Sequence, residues 1–351
     1  MSLKFRCLLA SDAGWLTELG NDPEAAKYAL SVYPRTEHET ESFIKKDLND
    51  IESKNIVAEL DGEPAGNVGI WWRNAGRDRH VAWLAISVRR KSWGRGVGSG
   101  LMKEAITLAK ELGCRRMMLG VMEGNERALR LYEKFGFKAE AHEDEEVYID
   151  GSWRRNCVMG LELAPCVPKL EVSSPPKHTK LSARSSGVSK RDVHVRQLMN
   201  RDLDEVHRLQ NCPESTKSTY RIPPVTKEET KRWYEKIGFG EGTYCHVCFN
   251  GDKMLGYMLF KAYRLPFPCL KFEEIVVDAH GKPSEAAEAL VDAIKSFRER
   301  YWYRRTFAYV PETSLLILGA LEHRGFRRSG AMKDYYFIDG HYVNSIAYES
   351  P

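Results

Sequence analysis

The chain has 351 residues, 42% of them hydrophobic, and its 53 basic and 49 acidic side chains leave a formal net charge of +4. This length predicts two globular domains, and the interspersed charges indicate a solvated surface, so we expect no nucleic-acid partner. The apolar runs are too short for a membrane helix or a signal peptide, and the eight cysteines do not indicate a disulfide scaffold. We therefore expect a cytoplasmic protein with reduced thiols and no membrane contact.

The hydrophobic pattern of the first half predicts an α/β fold of mixed (α+β) type. Three meander strands and one strand–helix–strand crossover predict a mixed, mostly antiparallel sheet flanked by helices. In chain order, the predicted elements are strand 4–8, two helical segments with the second at 39–48, strands 56–60, 66–72 and 80–88, helix 98–112, strand 116–121, helix 125–135, and strands 137–148 and 154–163.

An internal similarity relates the two halves of the chain. The segment V-Y-I-D-G at 147–151 recurs as Y-F-I-D-G at 336–340, which is 189 positions later. The segment P-R-T-E-H-E-T-E at 34–41 is similar to P-V-T-K-E-E-T-K at 224–231, which is 190 positions later. A period this long predicts a duplicated domain, because the repeats of solenoids are much shorter.

A stretch between the halves is rich in Ser, Pro and Lys and shows neither helical nor strand periodicity, which is typical of a linker. We therefore expect a first domain over 1–163, a linker over 164–190 and a second domain over 191–351. We also expect the two domains to pack on each other.

The glycine-rich run S-W-G-R-G-V-G-S-G occupies 92–100, between a predicted strand and a predicted helix. The first N–H groups of a helix lack intrahelical partners and the helix dipole favours negative charge there, so this position is typical of an anion site. Glycines permit positive φ and the close approach of a phosphate, and Arg95 adds a cation. The run therefore predicts a ligand with a pyrophosphate. It matches neither a Walker loop, which ends in G-K-S/T, nor the dinucleotide-binding fingerprint.

The stretch 80–163 resembles the GNAT superfamily of N-acetyltransferases. The segment W-G-R-G-V-G at 93–98 lies on the family pattern R/Q-x-x-G-x-G/A after the fourth strand, with Trp93 in place of the usual Arg or Gln. The family's next motif is matched in order by Asn125, Ala128, Leu131-Tyr132 and Gly136-Phe137. The resemblance implies a GNAT fold over the first half and an N-acetyltransferase that takes its acetyl group from acetyl-CoA.

The resemblance also implies the residues that hold acetyl-CoA. Main-chain groups of the fourth strand would bind the thioester and the pantetheine arm, the glycine run would bind the pyrophosphate, and an asparagine would contact the arm. The implied cofactor-binding residues are Ile86, Ser87, Val88, Trp93, Gly94, Arg95, Gly96, Val97, Gly98, Ser99 and Asn125.

Tyr132 occupies the family's position for the group that donates a proton to the departing thiolate, and we expect it to be catalytic. A second interpretation stays open. Tyr132 also lies on a stripe with Ala128, Leu131 and Phe135, whose spacing is that of a helix face buried in a core.

The base that deprotonates the amine is left open. Trp83 stands where many family members have a Glu. The candidates for the base are His80, the acidic run at 143–146 and a chain of water molecules. We expect the acidic run to be a solvated strand edge or turn. We expect no metal, because Cys245 and Cys248 are three apart in a strand-like run, where their thiols diverge, and a structural zinc site needs four converging ligands.

The second half lacks the glycine run. At an offset of 189 the run falls on D-A-H-G-K-P-S-E-A-A-E-A-L at 278–290, Asn125 corresponds to Ser314, and Tyr132 corresponds to Leu321. We interpret the second half as a degenerate GNAT-like copy that kept its core and lost the cofactor chemistry. The leading hypothesis is an N-acetyltransferase with one site, acting by direct attack of a small amine, an amino acid or a protein N-terminus. The alternative is a non-catalytic acyl-CoA-binding or protein-interaction module.

Overall fold

The computed structural model of the protein describes residues 2–28, 35–149, 151–163, 193–238, 242–263 and 268–350. The chain forms two compact units. The first holds the described residues up to 163 together with Pro268 and Ser329–Tyr335, and the second holds the other described residues from 193 onward. The expected linker, 164–190, lies outside the described residues. No helix within these ranges is both long and apolar enough to cross a membrane.

The elements of the first half follow the predicted order, which confirms the mixed α/β fold. The strands are β1 (Leu3–Cys7), β2 (Ser53–Leu60), β3 (Glu63–Trp71), β4 (Val81–Val88), β5 (Arg116–Met122), β6 (Lys138–Ile149) and β7 (Ser152–Glu162). The helices are α1 (Ala13–Asn21), α2 (Pro23–Ala26), α3 (Glu37–Leu48), α4 (Val97–Glu111) and α5 (Glu126–Lys134), with 3₁₀ turns at Ala10–Asp12 and Arg90–Ser92.

The sheet of the first half has the strand order β1-β2-β3-β4-β5-β7-β6. Neighbouring strands are antiparallel except β4 and β5, which are parallel and pair only from Val81 to Trp83. Beyond Trp83, β5 continues alongside β7 as far as Met122, while β4 continues alongside β3 as far as Val88. The two central strands therefore separate, and the later residues of β4 have no ladder partner on the β5 side within the described ranges.

Helices cover both faces of this sheet because the strand side chains alternate between faces. Ile56 and Ala58 of β2 belong to the main core, into which α4 inserts a helical stripe that includes Leu101 and Ala105. Val57, which points the other way, packs with Ile44 of α3 in a second cluster. The glycine run, which precedes α4, is thus positioned by the larger of these two cores.

The second half repeats this order of elements. Its strands are β8 (Val193–Gln197), β9 (Thr243–Asn250), β10 (Lys253–Ala262), β11 (Cys269–Val277), β12 (Arg305–Pro311), β13 (Arg327–Ile338) and β14 (His341–Glu349). Its helices are α6 (Leu203–Gln210), α7 (Pro213–Thr216), α8 (Lys227–Gly238), α9 (Pro283–Arg300) and α10 (Leu315–His323). The strand order is β8-β9-β10-β11-β12-β14-β13, and the parallel pair β11–β12 is again only three residues long, Cys269 to Lys271.

The halves also share a local ion pair near their first strands. Asp12 accepts a hydrogen bond from Arg6 Nη1 at 2.7 Å, and Asp202 accepts one from Arg196 Nη1 at 2.7 Å. Each carboxylate also accepts the main-chain N–H three residues before it, at 2.8 Å. Residues 190 positions apart in the sequence therefore form the same ion pair. We call the pairs Arg6–Asp12 and Arg196–Asp202 the clasps.

Candidate active site

Two glycines of the run have backbone conformations that other residues avoid. Gly94 has φ 73° and Gly96 has φ 81°, both in the left-handed region. A Cβ atom built on either glycine would meet no atom within 4 Å, so the constraint is conformational rather than steric. The backbone therefore turns sharply from β4 into α4, with open space beside the turn.

Helix α4 begins without a side-chain cap. Gly96 is its N-cap and accepts the N–H of Gly100 at 2.9 Å, so the N–H groups of residues 97–99 have no intrahelical acceptor. By contrast, Thr36 caps α3 and Asn125 caps α5 through their side chains. Because no side chain of a described residue caps α4, its first N–H groups remain available to an anion.

The other two glycines of the run have packing roles. A Cβ atom on Gly98 would lie 3.2 Å from Leu131 Cδ2 of α5. A Cβ atom on Gly100 would lie 2.6 Å from Phe5 Cζ and 2.9 Å from Leu3 Cδ2, both on β1. Gly98 and Gly100 therefore allow α5 and β1 to approach α4 closely, whereas Gly94 and Gly96 shape the turn.

Ile86, Ser87 and Val88 lie on β4 beyond the point where it separates from β5. On their other side they pair with β3 residues 66–68. Ser87 is exposed, while Ile86 and Val88 are partly buried. The separated edge presents main-chain groups directly before the glycine turn, and one of them, the Val88 carbonyl, already accepts a hydrogen bond from Trp93.

Trp93 joins the glycine turn to both β4 and α5. Its indole Nε1 donates a hydrogen bond to the Val88 carbonyl at 2.8 Å, and its ring lies 3.3 Å from the guanidinium carbon of Arg127. One turn into α4, Lys134 Nζ donates to Ser99 Oγ at 3.4 Å. The predicted site residues on the turn and the helix α5 are thus brought together.

Asn125 caps α5, its Oδ1 accepting the N–H of Ala128 at 3.2 Å. Tyr132 lies one helical turn further on than Ala128. Its ring is buried in the main core, 5% exposed, and its centroid is 6.0 Å from that of Phe137. Its hydroxyl makes no hydrogen bond with any residue that the structure describes.

The environment of Tyr132 keeps its phenol neutral. Burial raises the pKa of Tyr132 well above its ordinary value of 10, so the hydroxyl is protonated at neutral pH. The burial of the ring thus agrees with the core interpretation, while the hydroxyl makes no hydrogen bond with a described residue and can donate one to a ligand. The catalytic role of the hydroxyl stays a prediction.

Basic residues that the sequence interpretation missed precede the turn. A depression of about 640 Å³ is lined by Glu18, Leu19, Asp22, Arg89, Arg90 and Lys91. The sequence signal for them was the run of three consecutive basic residues, 89–91, directly before the glycine run. The predicted cation, Arg95, lies at the turn itself, where its Nη2 donates to Asp61 Oδ2 at 2.9 Å and both side chains are about half exposed.

His80 lies far from the glycine turn. It precedes β4 and is eight positions before Val88, which at about 3.3 Å per strand residue is about 26 Å. Its Nε2 is 2.7 Å from the carbonyl oxygen of Asp334, in the same compact unit. Burial lowers the pKa of His80. This geometry does not bring His80 to the site.

The acidic run is not a solvated edge throughout, so that expectation is wrong for two of its members. Glu143 and Glu146 are buried, because the pairing of β6 with β7 shifts between Glu143 and Val147 and Glu145 adopts φ 52°. Glu143 accepts a hydrogen bond from Asn156 at 2.8 Å. Strands β5 and β7 lie between β6 and β4, which separates the run from the β4 edge.

Cys245 and Cys248 both lie on β9 and are buried in the second unit. Burial raises the pKa of Cys248 to about 12 and that of Cys245 well above its usual value. Both are therefore neutral thiols at physiological pH.

Comparisons with known proteins give a consistent result for the first half. The model of the acetyltransferase (GNAT) family matches residues 20–137. The spermidine N(1)-acetyltransferase of Escherichia coli K12 is 28% identical over 165 residues, which are 45% of this chain and 86% of that protein. An L-amino acid N-acetyltransferase of the same strain is 36% identical over 88 residues, 25% of this chain and 54% of that protein. A solved GNAT-family acetyltransferase from Streptococcus pneumoniae is 30% identical, covering 46% of this chain and 100% of that one, with a TM-score of 0.42.

Proposed function

The first half of this chain is a domain of the acetyltransferase (GNAT) family, which makes the protein an acyltransferase, and from this premise we propose that it moves the acetyl group of acetyl-CoA to a primary amine. The observation that carries the proposal is the uncapped start of α4 after two left-handed glycines, next to the separated edge of β4. An anion site and an open strand edge at the same point suit a ligand with both a pyrophosphate and an amide-containing arm.

The pyrophosphate of acetyl-CoA binds at the turn. The N–H groups of residues 97–99 point out of the helix start, and the helix dipole adds favourable potential there. Arg90 and Lys91, both exposed, contribute cations from the preceding 3₁₀ turn. The glycines at 94 and 96 keep side chains out of the space that the phosphates occupy.

The thioester lies along β4. A main-chain N–H of the segment 86–88 donates to the carbonyl oxygen, which becomes negative as the amine attacks. The carbon–nitrogen bond forms, the carbon–sulfur bond breaks, and the sulfur leaves as a thiolate. Preorganised main-chain donors suit this step because they do not have to reorient as the charge develops.

Tyr132 stabilises the thiolate by donating a hydrogen bond to it. A thiol has an ordinary pKa of about 8.5, so complete proton transfer from a phenol whose pKa is raised above 10 is unfavourable. A hydrogen bond from a buried, otherwise unpaired hydroxyl to an anion is favourable. The proton that finally neutralises the sulfur comes from solvent or from the nitrogen, which carries an extra proton once the neutral amine has formed its bond to the carbonyl carbon.

The amine loses its proton to water in the cleft. A lysine-like amine has a pKa of about 10.4 and must be deprotonated before it attacks. His80 is at the opposite end of β4, and the acidic run lies on β6, which is separated from β4 by β5 and β7. Water molecules therefore serve as the base, the last of the candidates considered from the sequence.

The second half is proposed to be a degenerate copy of the first. The shared strand order and the matching Arg6–Asp12 and Arg196–Asp202 clasps support a common origin. Ser314 begins α10 without making a side-chain cap, and Leu321 replaces the tyrosine. One acetyl-CoA site per chain follows from this assignment.

The acceptor is proposed to be a primary amine, as in the names of the relatives. Those names include spermidine and L-amino acid N-acetyltransferases and a putative acetyltransferase for the alanine of a ribosomal protein. A test panel of spermidine, free amino acids and an alanine-initiated peptide covers the three classes that the sequence leaves open.

The test uses the full chain with acetyl-CoA. Calorimetry is expected to show one bound acetyl-CoA per chain, and release of free CoA is expected with at least one amine of the panel. Binding without release for every amine would favour the non-catalytic alternative. Absence of binding would refute the assignment of the glycine turn.

A further inference from the structure

Three metal-binding side chains converge in the second unit, away from any group that acetyl transfer uses. Cys212, Glu214 and His280 each place one donor atom within 4.8 Å of the other two. Cys212 is partly exposed, and Glu214 and His280 are exposed, so a hydrated ion can reach all three. The donors are a thiol, a carboxylate and an imidazole, which together form a mixed ligand set that suits a borderline transition metal.

Two of the donors already have the separation of ligands on one ion. Cys212 Sγ donates to Glu214 Oε2 at 3.6 Å. Zinc–ligand bonds of about 2.0–2.3 Å in a tetrahedron place neighbouring ligands about 3.5 Å apart. An ion can therefore sit between these two atoms with little rearrangement. The imidazole donor atom, which lies within 4.8 Å of both, has to approach them by about 1.3 Å at most.

The segment that carries His280 is tied to the segment that carries the other two ligands. The N–H of Ala279 donates to Ser215 Oγ at 3.1 Å, and Ser215 belongs to α7, next to Glu214. The N–H of His280 donates to Asp278 Oδ1 at 3.0 Å. Asp278 is buried and forms an ion pair with Arg208 at 3.2 Å. The imidazole therefore stands on a backbone that is fixed relative to α7.

We propose that Cys212, Glu214 and His280 bind one zinc ion, with water as the fourth ligand. Thiolate and imidazole ligands favour zinc over magnesium and calcium, which prefer sites made of oxygen. The thiol proton is released to solvent as the sulfur–zinc bond forms. The ion links the turn before α7 to the loop after β11, and so holds together two segments that are far apart in the sequence.

This site departs from the expectation that the protein holds no metal. That expectation rested on Cys245 and Cys248, the close cysteine pair in the sequence. Two of the ligands proposed here, Cys212 and Glu214, lie close together in the sequence. The third, His280, follows 66 residues after Glu214. Only the packing of α7 against the loop after β11 brings them together. The proposal is independent of acetyl transfer and of any acetyl-CoA site.

The test is titration of the full chain with Co²⁺ after chelator treatment. One equivalent is expected to produce the near-ultraviolet absorption of a thiolate–cobalt bond, and Zn²⁺ is expected to abolish this absorption by displacing the cobalt. Cys212→Ser and His280→Gln are expected to remove the band and weaken Zn²⁺ binding at least about tenfold. Since all three side chains reach solvent, the melting temperature of each metal-free variant should match that of the unmodified protein.

Matched controls use ligand-type residues outside the group. Cys7 is an exposed cysteine on β1 and His38 is an exposed histidine on α3. Cys7→Ser and His38→Gln are expected to bind cobalt and zinc as the unmodified chain does. If Cys212→Ser and His280→Gln retain the band, or if the unmodified chain takes up no stoichiometric ion, the proposal is refuted.

Discussion

The β4–α4 and β11–α9 connections occupy corresponding places in the two halves but differ in how many main-chain donors they leave unpaired. In the first, left-handed glycines lead into a helix whose initial N–H groups are uncapped. In the second, α9 begins with Pro283, which lacks an N–H. The loop amides of Ala279 and His280 are already bonded to Ser215 Oγ and Asp278 Oδ1. Helix α9 also begins without a side-chain cap, so the N–H groups of residues 284 and 285 have no intrahelical acceptor. The second connection therefore leaves fewer main-chain donors than the first, and it lacks the left-handed glycines.

The strands before these connections differ in the same sense. Both β4 and β11 separate from their parallel neighbour after three residue pairs. The carbonyl of Ile275, which stands 189 positions after Ile86, accepts a hydrogen bond from Ser218 Oγ at 2.7 Å. A side chain of the second half thus uses an acceptor that the first half leaves on its strand edge. The strand separation occurs in both halves, and at this position the strand edge of the second half already has a side-chain partner.

The difference teaches that this fold and the proposed cofactor site rest on different residues. The fold depends on buried apolar stripes and on the clasps at Asp12 and Asp202, and both halves have them. The site depends on polar groups left unpaired, and these are expensive to bury without a ligand.

The largest expected effect is on catalysis by the first half. Tyr132→Phe should lower kcat by about 100-fold, because it removes the hydrogen bond to the departing thiolate. The KM for acetyl-CoA and the melting temperature should change little, since the hydroxyl bonds to no described residue. Steady-state kinetics with the best amine of the panel, together with a thermal melt, measure all three quantities.

Tyr148→Phe is the matched control, because Tyr148 is an exposed tyrosine of the same half. It should keep full kcat. Equal rates for Tyr132→Phe and the unmodified protein would mean that Tyr132 is only a core residue. Tyr132 would then have the same role as Leu321, which stands at the corresponding position of the second half.

The clasps should have comparable importance in the two halves. Burial opposes the charge of Asp12, but hydrogen bonds from Arg6, from Trp15 and from the N–H of Leu9 outweigh it and lower the pKa of Asp12. A carboxylate with a lowered pKa stabilises the fold above the unfolded pKa of about 3.9, and this stability is lost as pH falls through the lower folded pKa.

Asp12→Asn and Asp202→Asn should each destabilise their own half by about 2 kcal/mol at neutral pH, the typical loss for charged hydrogen bonds. Asp12 accepts one more bond, from Trp15 Nε1 at 2.7 Å, so its replacement should cost slightly more. Hydrogen exchange of peptides from β1 and β8 resolves the two halves. Asp252→Asn, at an exposed position, serves as the control. If only one of the two clasp substitutions lowers stability, the clasps are not equivalent.

The sequence predicted the order of elements well because periodicity and glycine positions are local signals. The helix expected at 125–135 is observed as Glu126–Lys134, and the strand expected at 4–8 is observed as Leu3–Cys7. The separate roles of Gly96 and Gly100 were not predictable, because Gly100 is constrained by Phe5, which is 95 positions away. The buried Glu143 was likewise missed, since its burial follows from a shift in strand pairing.

A smaller effect tests the glycine turn alone. Gly96→Ala should weaken acetyl-CoA binding about tenfold, because the methyl group enters the space proposed for the phosphates, and should cost about 1 kcal/mol of stability at φ 81°. Gly113 follows the other end of α4 with φ 76° and equally open surroundings. Gly113→Ala should cost the same stability and leave binding unchanged. Parallel losses of binding in both variants, by calorimetry, would mean that strain alone explains the effect.

The smallest effect concerns the bases before the turn. Arg90→Ala and Lys91→Ala should each weaken acetyl-CoA binding about threefold at low salt, because both side chains are exposed and act on the phosphates through solvent. Lys110, in the last turn of α4, is an exposed cation at the opposite end of the helix, so Lys110→Ala should leave affinity unchanged. Raising the salt concentration should reduce the difference between the unmodified protein and either variant, since screening removes the same interaction that the substitution removes. A loss that is insensitive to salt would instead assign these residues a structural role in the 3₁₀ turn that leads to Gly94.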